Sequence, residues 1–212
     1  MRLLEEFEHE HRLVDRVAGS LIRFADSSAD GTTSAEAVTD FVHFFRVFVA
    51  GYHHEREEQV LFPALVERAE VPANSGPIPA IEADHREAAA LVDELEREAG
   101  SRERAGEVAR RLAHHLWEHV DKEDSVLLPE AADRLRRNGV TTLDGREPSA
   151  DEEAARELGE RLTERFPPIE DPAIVRGDGC VACSAFAVTC GGIEKEWWND
   201  WETEYHRSLD EG

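Results

Sequence analysis

Lysine is nearly missing from this chain. Only Lys122 and Lys195 occur among 24 basic side chains, against 47 acidic ones, for a net charge of -23. So acidic a surface repels phosphate, which excludes nucleic acid and anionic membranes as default partners. It suits a very salty cytosol, where screening removes the self-repulsion. That predicts a halophilic source, an expectation that a protein folded and soluble in dilute buffer would contradict. No run approaches the ~20 apolar residues of a membrane span. The opening Met1-Arg2-Leu3-Leu4-Glu5-Glu6 has no apolar signal core, so the expected location is cytoplasmic. Cysteine is confined to Cys180, Cys183 and Cys190. An odd count, with the expected cytoplasm, argues against a disulfide framework. Tyr, Ile and Thr runs are few while Glu, Ala, Arg and Leu abound, which favours helix over sheet.

Apolar residues recur at helical spacing over 3–26, from Leu3, Leu4 and Phe7 to Leu21, Ile22 and Phe24. Thr33 with Glu36 is a capping-box pattern opening a second helix over 34–69, which Pro63 should kink or restart. Three prolines and a glycine make 71–79 a connection. A third helix spans 80–99 and stops at Gly100; a fourth spans 102–137 and ends at Asn138-Gly139. Four helices with short connections read as an all-α, up-down-up-down four-helix bundle. Ser149 with Glu152 caps a further helix over 150–165. After Pro167-Pro168 the composition turns to Gly, Cys and small residues, and then to an aromatic segment over 194–208. The expected organisation is a bundle over 1–138, a linker with an extra helix over 139–167, and a Cys- and Trp-rich appendage over 168–212.

One segment occurs twice. When His53 is set against His119, Glu57 falls on Glu123, Glu58 on Asp124, Val60 on Val126, Leu61 on Leu127 and Pro63 on Pro129. In both copies a His precedes a Glu by four, so imidazole and carboxylate share one helix face. Two such helices offer what bundle cores use to build dinuclear metal sites. The first helix adds His9 and His11, and the third adds His85. Neutral imidazoles with carboxylates suit iron, manganese or zinc. Buried carboxylates without a cation would be strongly destabilising. His54 and Glu58 are also four apart, but His54 aligns with Val120 and Glu58 with Asp124, which has no His four before it. The register therefore selects His53 and Glu57 as ligands and leaves Glu58 and Asp124 behind them or on the surface. On this reading His54, like His43, His114 and His206, is an ordinary core or surface residue, and replacing it should cost far less metal than replacing Glu57 or Glu123.

These residues resemble the hemerythrin-like, or HHE cation-binding, domain family. The resemblance rests on Glu10-His11-Arg12-Leu13, on His53-x3-Glu57 with Val60-Leu61-Phe62-Pro63, on Asp84-His85-Arg86, and on His119-x3-Glu123 with Val126-Leu127-Leu128-Pro129. It covers roughly residues 1–137. It implies a four-helix bundle around a non-haem di-iron centre with an oxo or hydroxo bridge. His11, His53, His85 and His119 would be terminal ligands and Glu57 and Glu123 bridges, with His9 the runner-up for His11. The oxygen-carrying members resemble a pattern with two histidines four apart in the third helix; here the residue four after His85 is Ala89. Water, Glu82 or His115 could take that place, and the gap leaves coordination open for reactive chemistry, sensing or iron transfer.

The function implied is binding or sensing of oxygen, nitric oxide or peroxide by two iron ions. The alternatives are iron storage, donation or iron-centre repair, and a di-iron oxidoreductase reducing peroxide or nitric oxide. No acid/base or nucleophile constellation stands apart from the ligands. Cys180-Val-Ala-Cys183 has the spacing of a metal knuckle or redox pair, and Cys190 and His206 could complete a zinc site. Small buried thiols are the equal alternative. Trp197, Trp198, Trp201 and Tyr205 would pack on the bundle, or form a docking face for a protein partner.

Overall fold

The computed structural model describes residues 1–27, 35–74 and 76–169. Thr33, the cysteine segment, the tryptophan segment and His206 lie outside the described residues. What is described is all helical, with five helices and no strand.

Helix α1, Arg2–Ser27, buries Leu3, Phe7, Val14, Val17, Leu21 and Phe24 along one face. The second run, 35–69, is called α2. It begins as an ordinary α-helix over Ala35–Phe44 and widens to π-helix over Phe45–His54 and again over Glu57–Leu61. It closes as α-helix over Phe62–Ala69. Helix α3 is Pro77–Arg97, so it starts earlier than the proline-rich sequence suggests. The first-turn N–H groups of a helix have no internal acceptor, so Pro77 and Pro79 cost nothing there. The run 102–137, called α4, is α-helical over Arg102–Lys122 and Leu128–Arg137, with a π turn at Glu123–Leu127 between them. Helix α5, Ala150–Arg165, carries the capping box: the Glu152 N–H donates to Ser149 Oγ at 3.3 Å, and the Ser149 N–H to Glu152 Oε2 at 2.7 Å.

The repeated sequence becomes a repeated backbone. Each copy makes a five-residue π turn that starts on the Glu of the motif and ends two residues before the proline. The Phe62 N–H donates to the Glu57 carbonyl and the Leu128 N–H to the Glu123 carbonyl, five residues back in each case. Proline has no N–H and its ring crowds the carbonyl four back. A turn wider by one residue takes up that crowding while the helix runs on.

Helix α4 packs along both α1 and α3, α2 packs on α3, and α5 lies across α1 and α2. Two apolar clusters form the core. The larger joins Val14, Phe24, Phe41, Phe48, Leu95 and Leu112; the smaller joins Leu3, Phe7, Leu61, Ile81, Leu127 and Leu135. Helix α5 adds Ala155 and Leu162 to the larger cluster, and the preceding loop adds Val140 and Leu143 to the smaller. At Gly159 a Cβ would stand 2.4 Å from Phe44 Cε2, so only glycine lets α5 approach α2 this closely.

Candidate metal centre

A polar layer separates the two apolar clusters. It consists of His11 from α1, His53, His54 and Glu57 from α2, His85 from α3, and His119 and Glu123 from α4. None is more than 5% exposed. The six candidate ligands chosen from sequence come together here, with His54 added. The donor atoms fall into two groups, His54, Glu57, His85 and His119, and His11, His53, Glu57 and Glu123. Within each, all lie within 4.8 Å of one another.

The carboxylates face both groups. Glu57 Oε1 lies 3.8 Å from His53 Nε2, and its Oε2 lies 3.4 Å from His85 Nε2. Glu123 Oε2 lies 3.1 Å from His11 Nε2 and 3.3 Å from His119 Nε2. Both oxygens of both carboxylates are buried without a hydrogen bond, as are the Nε2 atoms of His54, His85 and His119. His11 Nε2 and His53 Nε2 face each other at 3.0 Å. Seven converging buried donors, most of them without a protein partner, are costly unless a cation holds them. The donor set, imidazole nitrogen and carboxylate oxygen, fits iron, manganese or zinc.

The opposite ring nitrogens are tied to acids. His11 Nδ1 donates to Asp124 Oδ1 at 2.6 Å, His53 Nδ1 to Glu10 Oε2 at 2.8 Å, and His85 Nδ1 to Glu58 Oε1 at 2.7 Å. Such bonds fix the tautomer that leaves Nε2 free to ligate and make it a stronger donor. Glu58 and Asp124, equivalent in the repeat, do equivalent work: each follows an inward Glu and holds the lone imidazole of another helix. Glu10 is itself held by the buried Arg56, which also donates to Glu6 Oε2 at 3.0 Å and lies 3.8 Å over the Tyr52 ring.

Charge in the layer is set by this packing. Burial pulls imidazoles down, but at His11 the bond to Asp124 and the close carboxylate of Glu123 outweigh it and push the group up to about 10. Glu57 and Glu58 do the same for His85, also to about 10. His54 goes the other way, held well below its usual value by burial and by the surrounding imidazoles. Burial would raise Glu57, yet His53, His85 and His11 hold it below the ordinary carboxylate range.

His54 lies in the same layer as the six residues that the register selects. Its ring stacks on His85 with centroids 3.8 Å apart, inside the layer. The two sequence copies are not equivalent in backbone: α2 is π-helical through Phe45–His54, whereas α4 stays α-helical to Lys122. The wider turn brings consecutive residues His53 and His54 inward together, a placement that alignment with Val120 does not express. The available signal was the missing imidazole at Ala89 beside an unused His next to a chosen one. The proposed substitutes lie elsewhere. His115 Nε2 donates to the Asp84 carbonyl at 2.9 Å, and Glu82 sits 4.0 Å from Arg86 near the surface. His9 is exposed, 3.4 Å from Arg12.

Arg146, from the loop before α5, fastens the π-helical part of α2. It donates to the Gly51 carbonyl at 2.9 Å, to Glu55 Oε2 at 3.2 Å and to Glu152 Oε2 at 2.7 Å. Asp124→Asn, which removes the charge behind His11, should weaken metal binding by about 10–100-fold without unfolding the protein. Competition with a chelator measures this, and an unchanged affinity would mean that the Asp124 bond is incidental.

No curated protein and no solved structure matches the chain. Among the described residues, no helix is long and apolar enough to cross a membrane. A family model does match, over residues 2–131, the span holding all seven residues of the polar layer. With well over half its length so matched, this chain belongs to the hemerythrin HHE cation-binding domain family.

Proposed function

We propose that the chain is a non-haem di-iron protein that binds or senses oxygen, nitric oxide or peroxide. One iron would sit among His54, His85, His119 and Glu57. The other would sit among His11, His53, Glu57 and Glu123, with Glu57 common to both groups. The observation that carries the ligand-binding reading is the unequal imidazole count, three in one group and two in the other. The poorer position is where a small ligand would enter. Iron there supplies a Lewis-acidic, redox-active centre. The chain supplies the rest: Asp124, Glu10 and Glu58 hold the rings, while Phe7, edge-on to His53 at 5.2 Å, and Phe62, 6.2 Å from His85, keep water away. The depth of burial supports retention of the metal over its delivery to acceptors. An up-down-up-down course fits the short connections, and a salt-rich cytosol suits the acidic surface. Exposure of the reduced, iron-loaded protein to oxygen, nitric oxide and peroxide tests the reading. A distinct absorption change with at least one is expected, and silence with all three would end it.

Metal must displace protons from this layer. His11 and His85, each pushed up to about 10 by neighbouring carboxylates, should carry a proton at neutral pH in the metal-free protein. A ligating imidazole is neutral, so loading at pH 7 should release about two protons per chain. Apparent affinity should therefore rise as pH rises towards about 10 and fall on acidification. Calorimetry in buffers of different ionisation enthalpy counts the protons; zero released at pH 7 contradicts the prediction.

A further inference from the structure

Between α2 and α3, with α4 as its floor, lies a cleft of about 230 Å³. Ala88, Val92, Leu112, Leu116 and Phe45 line it, and His54 also forms part of its wall. It exists because small residues meet there: Ala50 from α2 faces Ala89 from α3, the position four after His85. Its charged lining residues, Arg46 and Asp93, are already committed. Arg46 Nη2 donates to Asp93 Oδ1 at 2.7 Å and to Glu96 Oε2 at 2.6 Å. The lining therefore offers apolar contact and one imidazole, with no free charge to attract an ion.

Size and chemistry narrow the occupant. A water molecule occupies only about 30 Å³ of liquid, an apolar cavity of about 150 Å³ takes benzene, and drug-sized pockets begin near 300 Å³. The Arg46–Asp93 pair joins the two walls, which suits a small molecule better than a chain segment. The cleft adjoins the three-imidazole group through His54, away from the two-imidazole position where a diatomic ligand would enter. We propose that this cleft is a binding site for an uncharged, mainly apolar molecule between benzene and indole in size, resting on Val92, Leu112 and Leu116 and reaching the His54 ring. The proposal goes beyond iron binding and needs no metal to be present.

The test is a fluorine NMR titration of fluorobenzene with the full chain, run on metal-loaded and on chelator-stripped protein. Saturable binding in the millimolar range or tighter is expected. Ala89→Trp, at an exposed position on the cleft wall, should fill the cleft and weaken binding about tenfold or more. Ala50→Trp repeats the test from the opposite wall if the first variant misfolds. The anion 4-fluorobenzoate should bind about tenfold more weakly than fluorobenzene. Absence of saturable binding to the loaded protein overturns the proposal. So does equal binding by wild type and a folded tryptophan variant, or equal binding of the anion. Saturable binding that persists in the stripped protein would stand even if the di-iron reading failed.

Discussion

Glu57→Ala should empty both metal positions at once. Glu57 belongs to both donor groups, and its two oxygens face His53 on one side and His85 on the other, at 3.8 and 3.4 Å. Its removal deletes one donor and one negative charge from each position. Buried ionic arrangements broken on one side typically lose about 3–5 kcal/mol. Iron affinity should therefore fall by about a thousandfold, and metal retained after dialysis should drop from about two per chain to almost none. Glu57→Gln, which keeps the volume and loses the charge, separates electrostatics from packing and should fail nearly as badly. Metal analysis with a circular dichroism control reads the result. If either folded variant kept its full metal complement, Glu57 would not be the shared ligand.

His54→Ala should lose the three-imidazole position, and Ala89→His in the same chain should restore it. His54 lies in the layer and also lines the cleft against which Ala89 sits. A histidine at 89 would stand one helical turn from His85, on the same side of α3. It would thus reach the region that the His54 ring leaves. The expected metal content is about two in the wild type, about one in His54→Ala, and close to two again in the double variant. Ala89→His alone should not change the content. Full loading of the single variant would reinstate His54 as a bystander. A single variant with half loading that the second substitution cannot rescue would place the helix-three position out of reach.

Much of this architecture was legible in the residues. Leu3, Phe7, Val14 and Phe24 marked α1 by spacing alone, and Ser149 with Glu152 marked the start of α5. The doubled His-x3-Glu, with its Leu-x-Pro tail, pointed to the place where the helices converge. What stayed hidden depends on backbone geometry that side-chain spacing cannot express. Pro63 read as a place where the helix kinks or restarts, and an α-helical stretch does begin at Phe62 with the proline in its first turn; the widened turn before it, repeated before Pro129, was not readable. A separate π-helical stretch, Phe45–His54 in α2, has no counterpart in α4, and with it one copy places two imidazoles in the layer and the other one. Pairings such as Asp124 with His11 were equally unreadable, since they link residues 113 positions apart.

Glycine at 159 has a consequence for where this protein can be cut. The family model stops at residue 131, inside α4. The shared core does not stop there. Gly159 lets α5 press onto Phe44, Leu162 joins the same cluster, and Phe166 meets Phe24 edge-on at 5.7 Å. Beyond it, the Ile169 N–H donates to the Gly19 carbonyl at 3.1 Å. Excision at the recognised boundary would strip an apolar seam from α1 and α2 and release the Arg146 fastening beside the tandem histidines. The portable unit, if this site is moved into another scaffold or expressed as a fragment, ends no earlier than residue 169.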